Sequence, residues 1–228
     1  MIRAVLFDLG GTLIATAEIP EIFRRILKIF GIDVSYEEIF NSHEETKKEL
    51  DVAAGQIRLG MDFWTEYNSQ VLRKLHITRD VKTLAENITK LWWDNADLRF
   101  YPDVIDTIAW LKNRKIKVGV ITNALKEDYE QILQRLKATQ LFDVVVGTDA
   151  CKKAKPDKEI FMYALDMLGV KPDEALFIGN ELDTDYKGAM KAGLKSLLID
   201  RNGKNTVEVE TIATLEELCL HLSKCASI

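Results

Sequence analysis

Four short apolar runs in this sequence lead into residues able to do polar chemistry. Ala4-Val5-Leu6-Phe7 stops at Asp8 and the pair Gly10-Gly11, and Lys117-Val118-Gly119-Val120-Ile121 runs into Thr122-Asn123. Ala175-Leu176-Phe177-Ile178 gives way to Gly179-Asn180, with Asp183 and Asp185 just beyond. Asp143-Val144-Val145-Val146 is followed, after a short loop, by Lys155-Pro156-Asp157. By type these residues offer a carboxylate, a hydroxyl, an ammonium and a second acidic cluster, the ingredients of polar catalysis on a charged group. Each is weak alone. An Asp after a strand is commonly a turn or cap residue, and Thr122-Asn123 reads equally well as a turn. Asp183 and Asp185 suit the acidic start of a helix, and Lys155 suits a solvated lysine ahead of a helix opened by Pro156. Their shared placement, each beyond an apolar run, makes them a candidate site.

The runs themselves read as buried strands, because continuous apolar stretches of this length bounded by turn residues fit a sheet covered on both faces. Helical stripes alternate with them. Val104, Ile105, Ile108 and Leu111 precede the second run; Tyr129, Ile132, Leu133 and Leu136 precede the third; Ile160, Phe161, Ala164, Leu165 and Leu168 precede the fourth. A further helix ending at Gly193 leads to the strand Ser196-Leu197-Leu198-Ile199, and Leu215, Leu218 and Leu222 mark a terminal helix. This alternation predicts an α/β fold, a doubly wound, Rossmann-like parallel sheet, in which ligands bind at the carboxyl ends of the strands. Between the first and second runs the period is helical throughout. Ile19, Ile22, Phe23, Ile26, Leu27 and Phe30 form one stripe; Trp64, Tyr67, Val71, Leu72 and Leu75 a second; Val81, Leu84, Ala85, Ile88, Leu91 and Trp92 a third. A more polar helical stretch spans 35–57. Four packed helices are expected, so residues 1–16 and 98–228 are assigned to the sheet domain and 17–97 to an inserted all-helical domain.

Composition narrows the function. The chain has 228 residues, of which 47% are apolar and 29% charged, ordinary values for a folded protein able to bury a core without disulfides or metal. Its 31 basic and 36 acidic residues leave a net charge of −5, which argues against nucleic acid or an anionic membrane as partner. No run has the length of a transmembrane helix, and Asp8 interrupts the N-terminal apolar stretch where a signal peptide would continue. Cys151, Cys219 and Cys225 show no paired spacing, and His43, His76 and His221 are scattered, so neither a zinc site nor a disulfide framework is expected and a cytoplasmic location fits. Cys151 beside Lys152 and Lys153 is the one place where a thiolate could be favoured.

Phe7-Asp8-Leu9-Gly10-Gly11-Thr12-Leu13, Ile121-Thr122-Asn123, Lys155-Pro156-Asp157 and Gly179-Asn180 through Thr184-Asp185 together resemble the four motifs of the haloacid dehalogenase-like hydrolases. The resemblance covers the whole chain in order, and the helical insertion is similar to the helix-bundle cap of the branch that includes small-molecule phosphatases. It implies a strand order of 5-4-1-2-3 with the site above strand one. It further implies Asp8 as nucleophile, forming an aspartyl-phosphate that water hydrolyses. Thr122 would hydrogen-bond the phosphoryl group, with Asn123, Gly10 and Gly11 contributing to substrate binding, and Lys155 would neutralise charge. Magnesium would sit among Asp8, the Gly10 carbonyl, Asn180 and Asp185, since hard oxygen ligands suit it. The partner implied is a small phosphorylated metabolite. Hinges fall near Ala15–Glu18 and Asn95–Tyr101. Thr16, Glu18, Lys47 and Lys48 are candidates to face the site, and Trp92-Trp93 either pack or line a pocket. Monomer and homodimer are both compatible with the sequence.

Two positions depart from the pattern. Phosphatases of the family usually carry an Asp two residues after the nucleophile as general acid/base, where this chain has Gly10, so poor leaving groups should suffer more than acyl or aryl phosphates. Asn180 stands where an Asp usually binds the metal, which removes one negative charge. These departures leave two alternatives beside the phosphatase reading. One is a metal-free 2-haloacid dehalogenase, for which Arg24 or Arg25 would hold the substrate carboxylate; the other is a phosphate-ligand-binding member with impaired turnover.

Overall fold

The computed structural model describes residues 1–50, 60–203 and 208–225. Its strands are β1 (Ala4–Phe7), β2 (Ile14–Ala15), β3 (Arg99–Phe100), β4 (Lys117–Ile121), β5 (Val144–Val146), β6 (Ala175–Gly179), β7 (Lys195–Ile199) and β8 (Thr211–Ile212). Six of them form one sheet in the order β5-β4-β1-β6-β7-β8, every pair parallel. The first five follow the strand order that the resemblance implies. β8 adds an edge strand too short to leave a periodic signal. β1 lies at the centre, Leu6 opposite Gly119 on one side and Phe177 on the other, and all four of its residues are buried. β2 and β3 form a separate antiparallel pair, Ile14 opposite Phe100.

The helices are α1 (Ile19–Ile29), α2 (Tyr36–Glu49), α3 (Met61–Lys74), α4 (Val81–Asn95), α5 (Val104–Asn113), α6 (Lys126–Arg135), α7 (Thr148–Cys151), α8 (Lys158–Leu168), α9 (Lys187–Lys191) and α10 (Leu215–Cys225). The chain divides into two compact units, Met1–Ala15 with Arg99–Ile228, and Thr16–Leu98. In the sheet unit Ile160, Phe161, Ala164, Leu165 and Leu168 of α8 bury against the sheet, with Phe161 edge-on to Phe177 at 5.2 Å. α8 does not open at Pro156. Asp157 caps it, its carboxylate accepting from Glu159 N at 2.9 Å, because a side-chain acceptor satisfies the orphan amides that Pro156 cannot. Cys151 is half-buried against the same core, and burial pushes its thiol up, so the neighbouring lysines do not make it a thiolate.

In the helical unit Ile22, Phe23, Ile26, Leu27, Ile39, Val71, Leu72, Ala85 and Ile88 share one core, with Trp92 and Trp93 packed on it. The stripe expected along α1 is too long by a residue at each end: Ile19 is 52% exposed and Phe30 41%. α1 begins at Ile19 and ends at Ile29, so neither residue has a neighbouring turn to carry it inward. α2 opens on a capping box between Ser35 and Glu38 and ends at Glu49 with Leu50 as its C-cap, while residues 51–57 of the polar helical stretch expected at 35–57 lie outside the described residues. Its buried residues are mostly polar, His43 among them, whose Nδ1 lies 3.1 Å from the Tyr67 hydroxyl while Nε2 has no partner among the described residues.

Burial lowers the His43 pKa from 6.5 to about 4. A histidine depressed in this way takes up its proton more readily in the unfolded chain. Its contribution is complete above about pH 6.5 and is lost as pH falls towards about 4, on the order of 3 kcal/mol in all. Urea midpoints followed by tryptophan fluorescence should therefore fall between about pH 7 and pH 5 more steeply in wild type than in His43→Leu. Parallel pH profiles for the two proteins would rule His43 out as the cause.

Candidate active site

The expected residues of the sheet unit meet at the carboxyl edge of the central strands. Asp8 directly follows β1, and its N–H donates to the Ile178 carbonyl at 2.8 Å, so its backbone continues the β1–β6 register. Thr122 stands likewise beyond β4, donating to the Val146 carbonyl at 2.9 Å. Between these strand ends lies Lys155, only 3% exposed. Its Nζ donates to Asp8 Oδ1 at 2.6 Å and to Asp185 Oδ1 at 2.7 Å, over the face of Phe177 at 5.4 Å. Asn123 fixes the lysine backbone from both sides. Lys155 N donates to Asn123 Oδ1 at 2.7 Å, and Asn123 Nδ2 donates to the Lys155 carbonyl at 3.1 Å.

Asp185 is 1% exposed and comes from a π-helical turn, Leu182–Tyr186, rather than from the start of a regular helix. Its Oδ2 accepts from Glu181 N at 3.0 Å, so with Lys155 on Oδ1 both oxygens are engaged. Gly179 makes room for it: a Cβ there would lie 2.4 Å from the Asp185 carboxyl. Asp183, four residues from Lys187 on the surface, pairs with it at 2.7 Å and stays out of the cluster. Electrostatically the group is two buried carboxylates on one ammonium. Burial raises the Asp8 carboxyl to about 6, with Lys155 opposing the rise and Asp185 adding to it. For Lys155 burial disfavours the charge, but Asp8 and Asp185 more than offset it and the net shift is upward. At neutral pH the site therefore holds an ionised nucleophile candidate against a fixed cation.

The second Asp8 oxygen faces a different set of atoms. Gly11, at φ +77°, turns the chain so that Asn180 packs onto it, and a Cβ at Gly11 would meet that amide at 2.9 Å. The inner atom of the Asn180 amide lies 3.0 Å from Thr12 Oγ1, 2.9 Å from the Gly10 carbonyl and 3.3 Å from Asp8 Oδ2. With nitrogen inward it donates to these acceptors. With oxygen inward it accepts from Thr12, and its nitrogen donates to Glu181 Oε1 at 3.3 Å. Nitrogen inward satisfies more of the facing atoms when no cation is present. Oxygen inward gives three hard oxygens, Asp8 Oδ2, the Gly10 carbonyl and Asn180 Oδ1, a donor set that fits magnesium. Asn180→Asp permits only the oxygen form and adds a like charge beside Asp8. We expect it to lower the melting temperature without metal by a few degrees and to raise magnesium affinity roughly tenfold. Thermal shift with and without magnesium, and calorimetric titration, read both; an unchanged magnesium response would exclude Asn180 from the cation's neighbourhood.

The model of the haloacid dehalogenase-like hydrolase family matches residues 5–199. The chain belongs to this family. It is 32% identical over 212 residues to a glyceraldehyde 3-phosphate phosphatase of Methanopyrus kandleri, covering 90% of this chain and 86% of that one. A glyceraldehyde 3-phosphate phosphatase of Methanocaldococcus jannaschii is 30% identical over 230 residues, 96% of each chain. A HAD-hydrolase of Bacillus subtilis, solved bound to magnesium, has the same fold, with a TM-score of 0.79 over 97% of this chain and 99% of that one at 19% identity.

This HAD hydrolase has its candidate residues at one edge of the sheet. Asp8, Thr122, Asn123, Lys155, Asn180, Asp185, Gly10 and Gly11 all lie at this strand edge, although Asn123 presents its side chain to Lys155. Thr12, Asp103 and Arg201, which adjoin these residues, carry no periodic signal in the sequence beyond Arg201 standing two residues past the end of β7. In the helical unit Arg24 pairs with Glu21 at 2.8 Å, and Arg25 with Glu21 at 2.9 Å and Asp97 at 2.8 Å, while Glu18 accepts from the Tyr36 hydroxyl. Thr16, Lys47 and Lys48 are exposed.

Proposed function

We propose that this HAD hydrolase is a phosphatase of small phosphorylated metabolites that works through an aspartyl-phosphate on Asp8. The observation that carries the reading is the Asp8 carboxylate held at the end of the central strand by a buried lysine that is itself locked between two carboxylates. Asp8 attacks phosphorus, the bond to the leaving oxygen breaks, and that oxygen departs with the electron pair. Water then attacks phosphorus and releases phosphate, restoring the carboxylate. Lys155 spreads its positive charge over the attacking and equatorial oxygens, and the Thr122 hydroxyl donates to one of them. Asp8, the Gly10 carbonyl and Asn180 would hold magnesium, whereas Asp185, expected among the ligands, has its two oxygens taken by Lys155 and Glu181 N. When bound, the ion supplies further positive charge to the transferring group. Residues 17–97 are read as the cap that selects substrate. No helix among the described residues is long and apolar enough to cross a membrane, and the free thiols Cys151 and Cys219 suit a reducing cytoplasm.

Gly10 shapes the substrate preference. A Cβ built there meets nothing within 4 Å, so the place where family phosphatases carry their acid is open and offers no proton. Leaving groups that depart as stable anions should be favoured over alkoxides by about 10²-fold or more. The decisive assay is phosphate release from acetyl phosphate, p-nitrophenyl phosphate and glyceraldehyde 3-phosphate, with magnesium or with EDTA. Magnesium-dependent release, fastest from acetyl phosphate, is the expected result. Silence on all three, with chloride released from 2-chloropropionate, would replace the phosphatase by a dehalogenase.

A further inference from the structure

We infer that Arg201 is a positioning residue for the reaction at Asp8, gripping the loop at residues 9–14 through Thr12. Arg201 follows β7 and reaches the loop after β1. Its Nε and Nη2 both donate to the Thr12 carbonyl, at 3.1 and 2.8 Å, while Nη1 donates to Asp103 Oδ2 at 2.8 Å. The guanidinium lies over the Tyr101 ring at 3.9 Å. The same Asp103 oxygen accepts from Leu215 N at 2.8 Å, at the start of α10. The planar fork is therefore fixed on its other side by two further segments of the sheet unit, and Tyr101 N adds a bond to the Leu13 carbonyl at 3.0 Å. Thr12 is fully buried, and its hydroxyl lies 3.0 Å from the Asn180 amide that also faces Asp8. With the Asn180 nitrogen inward, a short path of hydrogen bonds runs from Arg201 through Thr12 and Asn180 to the second oxygen of Asp8; with the oxygen inward, the Thr12 hydroxyl donates to Asn180 Oδ1 and holds it towards the same place.

The pair is poorly explained as a device for stability. Its two side chains are 8% and 7% exposed, and buried ion pairs are commonly matched or bettered by apolar residues of the same volume. Asp103 Oδ1 is moreover buried without a partner among the described residues, a cost that a purely structural contact has no reason to carry. What the guanidinium supplies that an apolar side chain cannot is a two-pronged hold on one carbonyl, four residues from the nucleophile.

The inference rests on the phosphatase reading for its kinetic arm only. Lysine keeps the charge but cannot span Thr12 and Asp103 with a rigid fork. In Arg201→Lys, the amides of Gly11, Leu13 and Ile14, which bond to Ile14 and Leu9 carbonyls, should exchange with deuterium about tenfold faster, while those of Ala175–Gly179 keep wild-type protection. Turnover of p-nitrophenyl phosphate should fall roughly 10- to 100-fold in kcat, with KM within about threefold. Thr12→Val, close in shape and tested on its own, should lose a similar factor in kcat, and the double variant should be no worse than the worse single. Unchanged exchange at residues 9–14, faster exchange spread evenly over the sheet, wild-type kcat in folded Thr12→Val, or losses that multiply in the double variant would each overturn the inference. A wild-type protein without phosphatase activity would instead sink the functional reading and leave the exchange comparison to decide the role of Arg201.

Discussion

Asp8→Asn abolishes turnover, by at least about 10⁴-fold, while the protein remains folded. An amide cannot form the acyl-phosphate bond, and no other carboxylate replaces it, because Asp185 has one oxygen on Lys155 and the other on Glu181 N. Stability should hold or rise. The Asp8 carboxyl is raised to about 6 from 3.8, mainly by burial, so the folded state holds that proton more tightly than the unfolded chain does. By linkage, its ionisation takes stability away as pH climbs from about 4 to about 6, and the loss is fully present at neutral pH. Asparagine removes the buried charge and can still accept from Lys155, which keeps Asp185 as its ionic partner. Phosphate release and thermal melts near neutral pH are the measurements. Turnover within tenfold of wild type would take the nucleophile role from Asp8, and a melting temperature many degrees lower would mean that the carboxylate itself holds the site together.

The contrast between Asp8 and its supports shows which parts of the molecule were legible in the sequence. β1, β4, β5, β6 and β7 announce themselves because a strand covered on both faces must be apolar along its length, and the residue after each run is then forced to a sheet edge. That logic reaches Asp8, Thr122 and Asn180 one strand at a time, and Lys155 through its loop. It cannot show that Asn123 holds the Lys155 backbone, that Asp185 rather than Asp183 turns inward, or that Arg201 grips Thr12. Those contacts join segments up to 189 positions apart, and hydrogen bonds of that kind have no period. The turn from Leu182 to Tyr186 illustrates the difference: its acidic residues fit a helix N-terminus by composition, the motif resemblance points to Asp185, and the π-helical geometry is what buries Asp185 and leaves Asp183 exposed. β8 escaped for a simpler reason, since two residues carry no alternation.

Lys155→Met tests the charge balance of the whole site. The ammonium is the shared partner of Asp8 and Asp185, at 2.6 and 2.7 Å, and replacing it with an apolar side chain of similar length leaves two nearby carboxylates in a buried setting. Breaking a buried ionic cluster by removing one member costs about 3–5 kcal/mol, here roughly 10 °C in melting temperature for a chain of this size. The loss has a defined pH dependence. Asp8 already sits at about 6 through burial and loses the lysine that opposes that rise, so the folded variant holds its proton more tightly still and its deficit against wild type widens as pH climbs above about 6. Turnover falls by about 10³-fold or more at every pH, because the charge that neutralises the transferring phosphoryl group is gone. Adding Asp185→Asn separates the two effects. Asparagine still accepts from Glu181 N, relieves the like-charge contact and restores much of the stability, but it returns no activity. A double variant that melts no higher than Lys155→Met would show that Asp185 is stabilised by groups other than the lysine. Recovery of turnover would show that Lys155 serves the fold and not the phosphoryl group.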